Sequence, residues 1–467
     1  MPKLTSKTDG NRSVSPAGYE LYSVSITLNN GNVSRIDELV QTIEIVESLQ
    51  TSSIQVIMRL FDGSNYLEES HLSGGEKVNI KLRRTENLKE SFSKSRNRFD
   101  IEVYIAAIVG HSRPKPGLQA YNIECLSKQA LISNTKKLNR SFNGNIGQLV
   151  SNIFTNDLQL KTEEDFILSN LSDSSDIIKG IYPNLSPLET LSWLTRNASN
   201  DGTPYFLYET IQEGMQFRSY NDIINDDLYR SYNDASFSTT QTNTPGAYNE
   251  EQRKILNMSS DLNRSMYDSI NSGAYSARLH TLDIATKNYK QSDFNYNNTY
   301  SMNEHVPFSK NIQFDDNSID KYTTNKQYYV SLNSRAFSQD ISYHKPAVTS
   351  LMSKQSYFEN LGFMGLDIEL NGDFNLTVGK KVNIIVPKAK NDITQMTGGK
   401  LSVIDKYIGG VYIVASISHF FSPNDYKCNL GLQKDSLSFD LDKKIELGKN
   451  NTKQTRRGRR RKTGNGN

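Results

Sequence analysis

The chain has 467 residues, of which 36% are hydrophobic, and a formal net charge of +3. This length predicts about three domains at roughly 150 residues each, and the low apolar share predicts a small core with long polar excursions. The sequence contains no run of about 18 apolar residues, and its first residues lack the apolar segment of a signal peptide. We therefore expect a protein that is made in a cytoplasm and is not inserted into a membrane.

The N-terminal third predicts a β-domain. Residues 1–17 are polar and predict a disordered arm. From residue 18 the pattern changes to strands, and residues 21–28 alternate cleanly between apolar and polar side chains. Similar segments at 42–48 and 54–61 continue the predicted sheet. We predict one compact β-barrel domain over 18–133.

The middle of the chain changes to a helical period, which predicts an α+β domain over 134–272. Apolar residues at helical spacing predict a helix near 146–156. A second helix is predicted near 186–199, because Ser186 can cap it and Glu189 can complete a capping box. Two short strands are predicted after it, at 205–210 and 215–220.

The remaining segments are mostly polar until the last barrel. Residues 226–262 predict a long loop or an extended excursion, and 273–345 predict a polar extended region that joins the second barrel. Within that region, residues 291–327 are rich in Asn, Asp, Ser and Tyr and predict a surface lid or an intersubunit arm. A second β-barrel domain, beginning with a helix, is predicted over 346–442, and a basic disordered tail over 443–467.

Two parts of the chain, about three hundred residues apart, carry nearly the same sequence in the same order. The corresponding blocks are 75–80 with 379–384, 103–111 with 411–419, and 121–126 with 426–430. The positions that define the repeat are Lys77, Val78, Ile80, Tyr104 and His111 in the first copy, and Lys381, Val382, Ile384, Tyr412 and His419 in the second. Two copies of one β-domain indicate a chain that tiles a ring or a wall rather than one that builds a single catalytic pocket.

Side chains that could carry chemistry are present but not arranged for it. The histidines form no pair with metal-binding spacing, and His111 and His419, which the repeat aligns, predict a structural role in both copies. Cys125 and Cys428 fall on corresponding strands of different domains, which predicts small buried residues without a disulfide. We predict no cofactor and no metal site.

Motifs for enzymatic catalysis are equally weak. The segment 398–401 reads Gly-Gly-Lys-Leu and lacks the hydroxyl side chain of a phosphate-binding loop, so it predicts a turn. Neighbouring carboxylates such as Glu44 and Glu47 predict solvated faces, because a glycosidase needs two facing carboxylates at a controlled separation. We predict no catalytic residue.

The C-terminal tail is strongly basic and the rest of the chain is mildly acidic. Seven of the ten residues at 453–462 are Lys or Arg. The candidate partner-docking residues are Arg456, Arg457, Arg459, Arg460, Arg461 and Lys462. Such a cluster can bind phosphates through counterion release or dock on an acidic protein surface. Docking or solubilisation is slightly favoured, and nucleic-acid contact stays open.

Motifs spread over most of residues 18–440 resemble one family. They lie at 43–47, 56–67 and 74–78 in the first barrel, at 191–194 and 201–208 in the middle, and at 372–379 and 412–414 in the last barrel. In this order they resemble the baseplate central hub protein of contractile-tailed, T-even-type bacteriophages. The middle element is also similar to that of type VI secretion spike proteins.

The resemblance implies a mainly β, α+β fold with two similar antiparallel β-barrels, a mixed α/β middle region and long polar loops. It implies a homotrimeric structural virion protein of the phage tail baseplate, assembled in the host cytoplasm, that adapts the sixfold tail tube to the threefold cell-puncturing spike. The repeat fits independently, since three chains with two like domains present six like surfaces.

The partners implied by the resemblance are the tail tube protein, the spike protein and baseplate wedge proteins. Phage DNA would pass through the lumen without specific binding, and a mildly acidic wall would keep DNA from adhering. Two other functions stay open on the sequence: a tail-associated cell-wall-degrading enzyme, and a nucleic-acid-binding protein that acts through the basic C-terminal tail.

Overall fold

A computed structural model describes residues 18–85, 97–160, 166–168, 178–198, 202–234, 251–261, 266–296, 298, 313–314, 317–318, 322, 324–332, 344–362, 364–388, 405, 407–423 and 425–435. The predicted arm at 1–17 and the basic tail at 443–467, with its six candidate docking residues, lie outside the described residues. So do the turn predicted at 398–401 and most of the predicted lid or arm at 291–327. None of the helices within the described ranges has the length and hydropathy needed to span a bilayer.

The described chain is mainly β, as the sequence predicts. In chain order the strands are β1 (Tyr19–Thr27), β2 (Val33–Arg35), β3 (Val40–Ser48), β4 (Gln55–Asp62), β5 (Lys77–Arg84), β6 (Arg98–Lys115), β7 (Leu118–Leu126), β8 (Ser141–Gly144), β9 (Phe166–Leu168), β10 (Ile178–Ile181), β11 (Tyr205–Thr210), β12 (Gly214–Ser219), β13 (Leu228–Asp234), β14 (Lys254–Asp261), β15 (Ser276–Asp283), β16 (Asn288–Asn295), β17 (Gln313–Phe314), β18 (Asn317–Ser318), β19 (Gln327–Leu332), β20 (Met364–Asn371), β21 (Lys381–Ile385), β22 (Gly410–Phe421) and β23 (Tyr426–Lys434). The helices are α1 (Tyr66–Glu69), α2 (Lys128–Asn134), α3 (Ile146–Asn152) continued by a π-helical turn (Ile153–Asp157), α4 (Pro187–Asn197), α5 (Tyr220–Asn225), α6 (Met266–Ser272) and α7 (His344–Leu361).

The first barrel consists of seven antiparallel strands in the order β2-β1-β5-β6-β7-β4-β3. Apolar side chains on alternate positions face its interior, as in β4, where Val56, Met58 and Leu60 are all buried. β1 and β3 do not pair directly. The connection after β2 lies between them, and Ile36 N in this connection donates a hydrogen bond to Val24 O of β1 at 2.9 Å. The alternation that predicts strands in this region is confirmed.

The second barrel is closed by six strands. They follow the order β22-β21-β13-β14-β20-β23, and β23 pairs back to β22. Two of these strands, β13 and β14, come from 226–262, where the sequence predicts a long loop within the middle domain. That prediction was wrong because the two strands are polar, and backbone pairing rather than an apolar pattern holds them in the wall. β13 also runs parallel to both of its neighbours, which the predicted antiparallel barrel did not include.

The middle region has its own core, built between helices and small sheets. The predicted helix after Ser186 is confirmed as α4, with the predicted capping box: Ser186 Oγ accepts from Glu189 N, and a Glu189 carboxylate oxygen accepts from Ser186 N at 2.7 Å. The helix packs its apolar face into the core beside β11 and β12, and Trp193 contacts Phe142 edge-on at a ring distance of 6.1 Å. The predicted helix near 146–156 is confirmed as α3 and its π-helical continuation.

A separate three-stranded sheet follows within 273–345, where the sequence predicts extended polar chain. Its order is β16-β15-β19, and one face packs against α7 through Met352. Ser356 Oγ on α7 donates to Ala274 O, and Lys354 Nζ donates to Arg196 O at 2.8 Å, so α7 joins this sheet to the middle region.

The sequence repeat corresponds to a repeat of strand pairing. The consecutive strands β4 to β7 pair in the order β5-β6-β7-β4, and β20 to β23 pair in the equivalent order β21-β22-β23-β20, with every pair antiparallel. Each copy also contains one bulge at the same place, where Ala106 in β6 and Ala415 in β22 are the extra residues.

The register of the strands corrects the alignment of the repeat by one residue. Lys77 lies opposite Tyr104, whereas Lys381 lies opposite Ile413, so Tyr104 corresponds to Ile413 and not to Tyr412. Val109 lies opposite Asn122 in the same way that Ser418 lies opposite Asn429. His419 therefore corresponds to Gly110, and the predicted equivalence of His111 and His419 was wrong.

Substitution of Gly372 by alanine is expected to destabilise the second barrel. A Cβ atom at this position would fall inside the ring of Tyr426, which is buried and stacked on Phe421 at 4.1 Å. The ring has no free space to move, so we expect a loss of about 1–3 kcal/mol in the free energy of unfolding. Denaturant unfolding of Gly372→Ala measures it.

Gly63→Ala is the matched control. Its added Cβ would lie 3.7 Å from Gly117 O, an ordinary contact distance, and its effect should stay within about 0.5 kcal/mol. Equal stability of the two variants would contradict the close packing of Tyr426.

Candidate functional site: the seam between the barrels

The two barrels are joined edge to edge by a β-sheet seam, which we define as residues 43–48 of β3 and residues 416–421 of β22. The strands run antiparallel across it, with Ile43 opposite Phe421 and Ser48 opposite Ser416. The seam makes one continuous sheet of thirteen strands out of the two domains. Because backbone hydrogen bonds set the register, the barrels are held at a fixed offset rather than by side-chain packing alone.

Side chains reinforce the seam on both sides. Ser418 Oγ donates to Glu44 Oε1 at 2.7 Å, diagonally across the paired strands, since Glu44 lies opposite Phe420. Beyond the strand ends, Tyr19 Oη from the first barrel donates to Ser422 O at 2.5 Å, and its ring meets Phe421 edge-on at 5.1 Å. One apolar core runs through both barrels without interruption.

Glu47 is the most unusual side chain of the seam, since it is a fully buried carboxylate with 0% exposure. Its Oε1 accepts from Ile211 N at 2.8 Å and its Oε2 accepts from Val378 N at 3.2 Å. Ile211 lies in the turn between β11 and β12, and Val378 lies in the second barrel before β21. A single carboxylate of the first barrel therefore bonds to the middle region and to the second barrel at once.

A second buried carboxylate, Glu209 of β11, lies close to it. Its Oε2 accepts from Ile54 N of the first barrel at 3.0 Å. The pKa of Glu47 is raised to about 7, chiefly by burial and in smaller part by the charge of Glu209, while the hydrogen bonds from Ile211 N and Val378 N and the charge of Lys380 oppose the shift. Burial likewise raises the pKa of Glu209 to about 7. The contact between all three parts of the molecule thus contains two carboxyl groups that titrate near neutral pH.

Glu47 contradicts the sequence prediction of a solvated acidic pair. Glu44 remains half-buried at the seam surface, but Glu47 is buried. The strand itself holds the signal that would have found it, because Ile43, Ile45 and Glu47 share one face of β3 and the first two are core residues. An acidic residue at a strand position that faces the core indicates a buried carboxylate.

His419 lies inside the second barrel, beside Cys428 and Tyr426. Its Nδ1 is 2.9 Å from Tyr426 Oη and 3.4 Å from Cys428 Sγ. Burial lowers the pKa of His419 to about 3 and raises the pKa of the Cys428 thiol to about 12. The imidazole and the thiol are therefore both neutral near pH 7, and this histidine and cysteine do not form a nucleophilic pair.

The other positions that define the repeat are spread over the two barrels and do not converge. Val78, Ile80, Val382 and Ile384 are core residues. Lys77 forms an ion pair with Glu102, and Tyr104 Oη donates to the same carboxylate at 3.1 Å.

Of the remaining positions, the two in the second copy are bonded or buried, and the one in the first copy is exposed. Lys381 Nζ donates to Ile224 O, and Tyr412 is buried beneath Lys434, whose Nζ lies 4.5 Å from the ring centre. His111 is exposed beside Gln119 at 3.0 Å. These residues mark the strands and build no pocket. Among the described residues, no group of three or more His, Cys, Asp or Glu side chains could hold a metal ion.

Solved structures share this fold. The tail protein from Neisseria meningitidis MC58 matches with a TM-score of 0.51 and 12% identity, over 90% of this chain and 97% of that one. The 43 kDa tail protein of prophage MuSo2 from Shewanella oneidensis matches with a TM-score of 0.50 and 9% identity, over 89% of this chain and 99% of that one. The fold is that of phage tail proteins.

The resemblance indicated by the sequence is thereby confirmed at the level of the fold. The E. coli c3393 protein, a component of the type VI secretion system, also matches, with a TM-score of 0.42 and 10% identity over 90% of this chain and 77% of that one. No family model matches the chain, and no curated protein matches its sequence.

The buried carboxyl groups predict a pH-dependent stability of the tail-protein fold. The folded pKa values of Glu47 and Glu209 are raised from 4.5 to about 7, so between these values the folded state holds protons that the unfolded state has released. Their stabilising contribution is full below pH 4.5 and is lost as pH rises through about 7. Relative to the native chain, Glu209→Gln should gain up to roughly 3 kcal/mol between pH 5 and 8.

Denaturant unfolding at several pH values measures this difference. Ser418→Ala serves as the control, because it removes a hydrogen bond of the seam but no titratable group, and its difference from the native chain should not change with pH. A pH-independent difference for Glu209→Gln would show that this carboxyl group does not take up a proton on folding.

Proposed function

We propose that the protein is a structural virion protein, a homotrimeric baseplate hub that adapts the sixfold tail tube to a threefold cell-puncturing spike. The observation that carries this proposal is the seam, which holds two like four-strand units side by side in one sheet. Three such chains around an axis present six like units to one neighbour and three whole chains to the other. A single chain with two equivalent barrels is what such a change of symmetry requires.

The proposed partners are the tail tube protein, the spike protein and baseplate wedge proteins. The tail-protein fold supports a place in the phage tail, and assembly would take place in the host cytoplasm. Phage DNA would cross the lumen of the ring without specific binding, since the chain outside the basic tail is mildly acidic and repels phosphates.

The proposal gives the protein a structural role without catalysis. Glu47 of the seam and Glu209 beside it are buried and accept backbone hydrogen bonds, and His419 and Cys428 are fully buried. These groups stabilise domain contacts, and a substrate could not reach them. The proposal assigns the chain no cell-wall-degrading activity, and turnover of peptidoglycan by the purified chain would overturn this part of it.

A second candidate function is nucleic-acid binding through Arg456, Arg457, Arg459, Arg460, Arg461 and Lys462, which the density of positive charge favours. Binding of this kind weakens steeply as the salt concentration rises, and it is lost when the cationic side chains are removed. A chain truncated before residue 453 should lose any DNA binding seen at low salt. Binding that survives both the truncation and high salt would place it elsewhere on the molecule.

The oligomeric state is the direct test of the hub. We expect light scattering of the purified chain to give three times the chain mass of 52.8 kDa, or, with a spike partner, a complex that contains three copies of the chain. Electron-microscopic averages of the particle should show six similar lobes around a central hole, with threefold symmetry when the lobes are resolved. A stable monomer at micromolar concentration in the presence of a spike would refute the proposal.

A further inference from the structure

The turn between β11 and β12, residues 211–213, reaches from the middle region into the junction of the two barrels. Beside the hydrogen bond from Ile211 N to Glu47, Gln212 Nε2 donates to Phe374 O of the second barrel at 2.8 Å. Ile211 and Glu213 are only half-buried, and Gln212 is exposed. The docked turn therefore depends on these polar contacts more than a fully buried segment would.

The strand that leads into the turn is anchored in two cores. Phe206 and Tyr208 belong to the core that the barrels share, whereas Tyr205 and Leu207 belong to the core of the middle region. A Cβ atom added at Gly379 of the second barrel would lie 2.7 Å from Tyr208 Oη, so β11 approaches that barrel closely. Opening of the turn does not require this strand to leave either core.

Two carboxyl groups lie where the turn docks, and within the described ranges neither forms an ion pair. Glu47 is fully buried, and Glu209 is 7% exposed. The cation that acts on Glu47 is Lys380, whose Nζ donates to Asn375 O at 2.8 Å and lies 5.1 Å from the centre of the Tyr229 ring. Its ammonium group is thus held by other partners, and ionisation of both carboxyl groups would place two negative charges in one buried site.

The other elements packed around the two groups do not compensate this charge. The connection at 49–54 and residues 415–417 of β22 carry no charged side chain. Asp373 of the second barrel is already paired with Arg230 at 2.8 Å, and Ser127 adds a neutral hydroxyl group beside the site. The charge of the site is therefore set by the protons on its own two carboxyl groups.

We propose that docking of the turn is coupled to proton uptake by Glu47 and Glu209, so that the pair acts as a pH-dependent latch between the middle region and the two barrels. A protonated carboxyl group still accepts the bonds from Ile211 N, Val378 N or Ile54 N, and it carries no charge that needs water. An ionised pair is stabilised when the turn withdraws and water hydrates the carboxylates. This local opening is distinct from unfolding, because the strands around it stay paired.

The coupling has a defined direction and range. With the turn docked, the pKa of each carboxyl group is about 7, and in an open, hydrated site it returns toward 4.5. Opening therefore becomes more favourable as pH rises from 4.5 to 7, by roughly tenfold per pH unit for each group that is hydrated, and changes little above pH 7. The backbone bonds of the seam involve neither carboxyl group, so the barrels remain joined.

Hydrogen exchange of single amides in the native full chain measures the latch. After correction for the intrinsic effect of pH on exchange, we expect the protection factor of the Ile211 amide to fall by about tenfold or more between pH 5 and pH 7. The amide of Ile45 in the seam should stay more protected at every pH, since it exchanges only through larger openings. Equal protection of the two amides would mean that the turn opens only when the fold unfolds, and it would overturn the latch.

Two matched variants show which group carries the coupling. Glu209→Gln keeps the shape of the side chain but removes one site of proton uptake, so the pH dependence of Ile211 protection should fall by about half on a logarithmic scale. Glu213→Gln removes a carboxylate of the same turn that is not part of the buried pair, and it should leave the pH dependence unchanged. An unchanged pH dependence in Glu209→Gln would refute the coupling.

The latch lies within one chain and does not rest on the proposed function. Its test gives the same answer for a monomer and for a trimer, because the two carboxyl groups and the turn come from the same copy. A monomer with a pH-dependent Ile211 amide would refute the proposed hub and leave the latch standing. A trimer whose Ile211 protection factor does not change between pH 5 and pH 7 would refute the latch alone.

Discussion

The backbone hydrogen bonds between β3 and β22 are the constraint on which the rest of the molecule depends. They turn two domains into one sheet, and Glu47 then fixes the third part of the molecule against both. A buried carboxyl group that loses its donors carries a large desolvation cost, so the middle region cannot move away from the seam without leaving Glu47 unsatisfied. The barrels and the middle region should therefore move as one body.

Much of the fold could be predicted from local pattern because local chemistry determines it. Alternation along β1, β3 and β4 predicts strands, and the Ser186 to Glu189 capping box predicts the start of α4. β13 and β14 could not be predicted in this way, since pairing with β21 and β20 satisfies backbone groups of the two strands and their side chains need not be apolar. Their partners are distant in the sequence, and a pattern within one segment does not reveal them.

The alignment of the repeat failed for a similar physical reason. Tyr104 and Tyr412 are identical residues that align in the sequence. Ala106 and Ala415, however, are extra residues at β-bulges, and a bulge can be located only from the pairing with the neighbouring strand. A shift of one residue exchanges the inner and outer faces of a strand, which is why Tyr412 is buried and Tyr104 is not. The burial of Glu47, by contrast, could have been predicted from its phase with Ile43 and Ile45.

The two copies of the duplicated domain differ in the direction of one strand. β1 pairs antiparallel with β5, whereas β13 pairs parallel with the equivalent β21 and closes the second barrel through β14. The two copies thus differ where the connections differ and agree in the pairing of four strands, β4 to β7 in the first copy and β20 to β23 in the second. In the proposed trimer one seam is built into each chain, so bringing six barrels together takes two association steps instead of five, and each avoided step removes a loss of translational and rotational freedom. In the proposed trimer, covalent linkage of neighbouring barrels in pairs would make three of the six contacts internal to a chain and the other three contacts between chains, which would give the ring threefold symmetry.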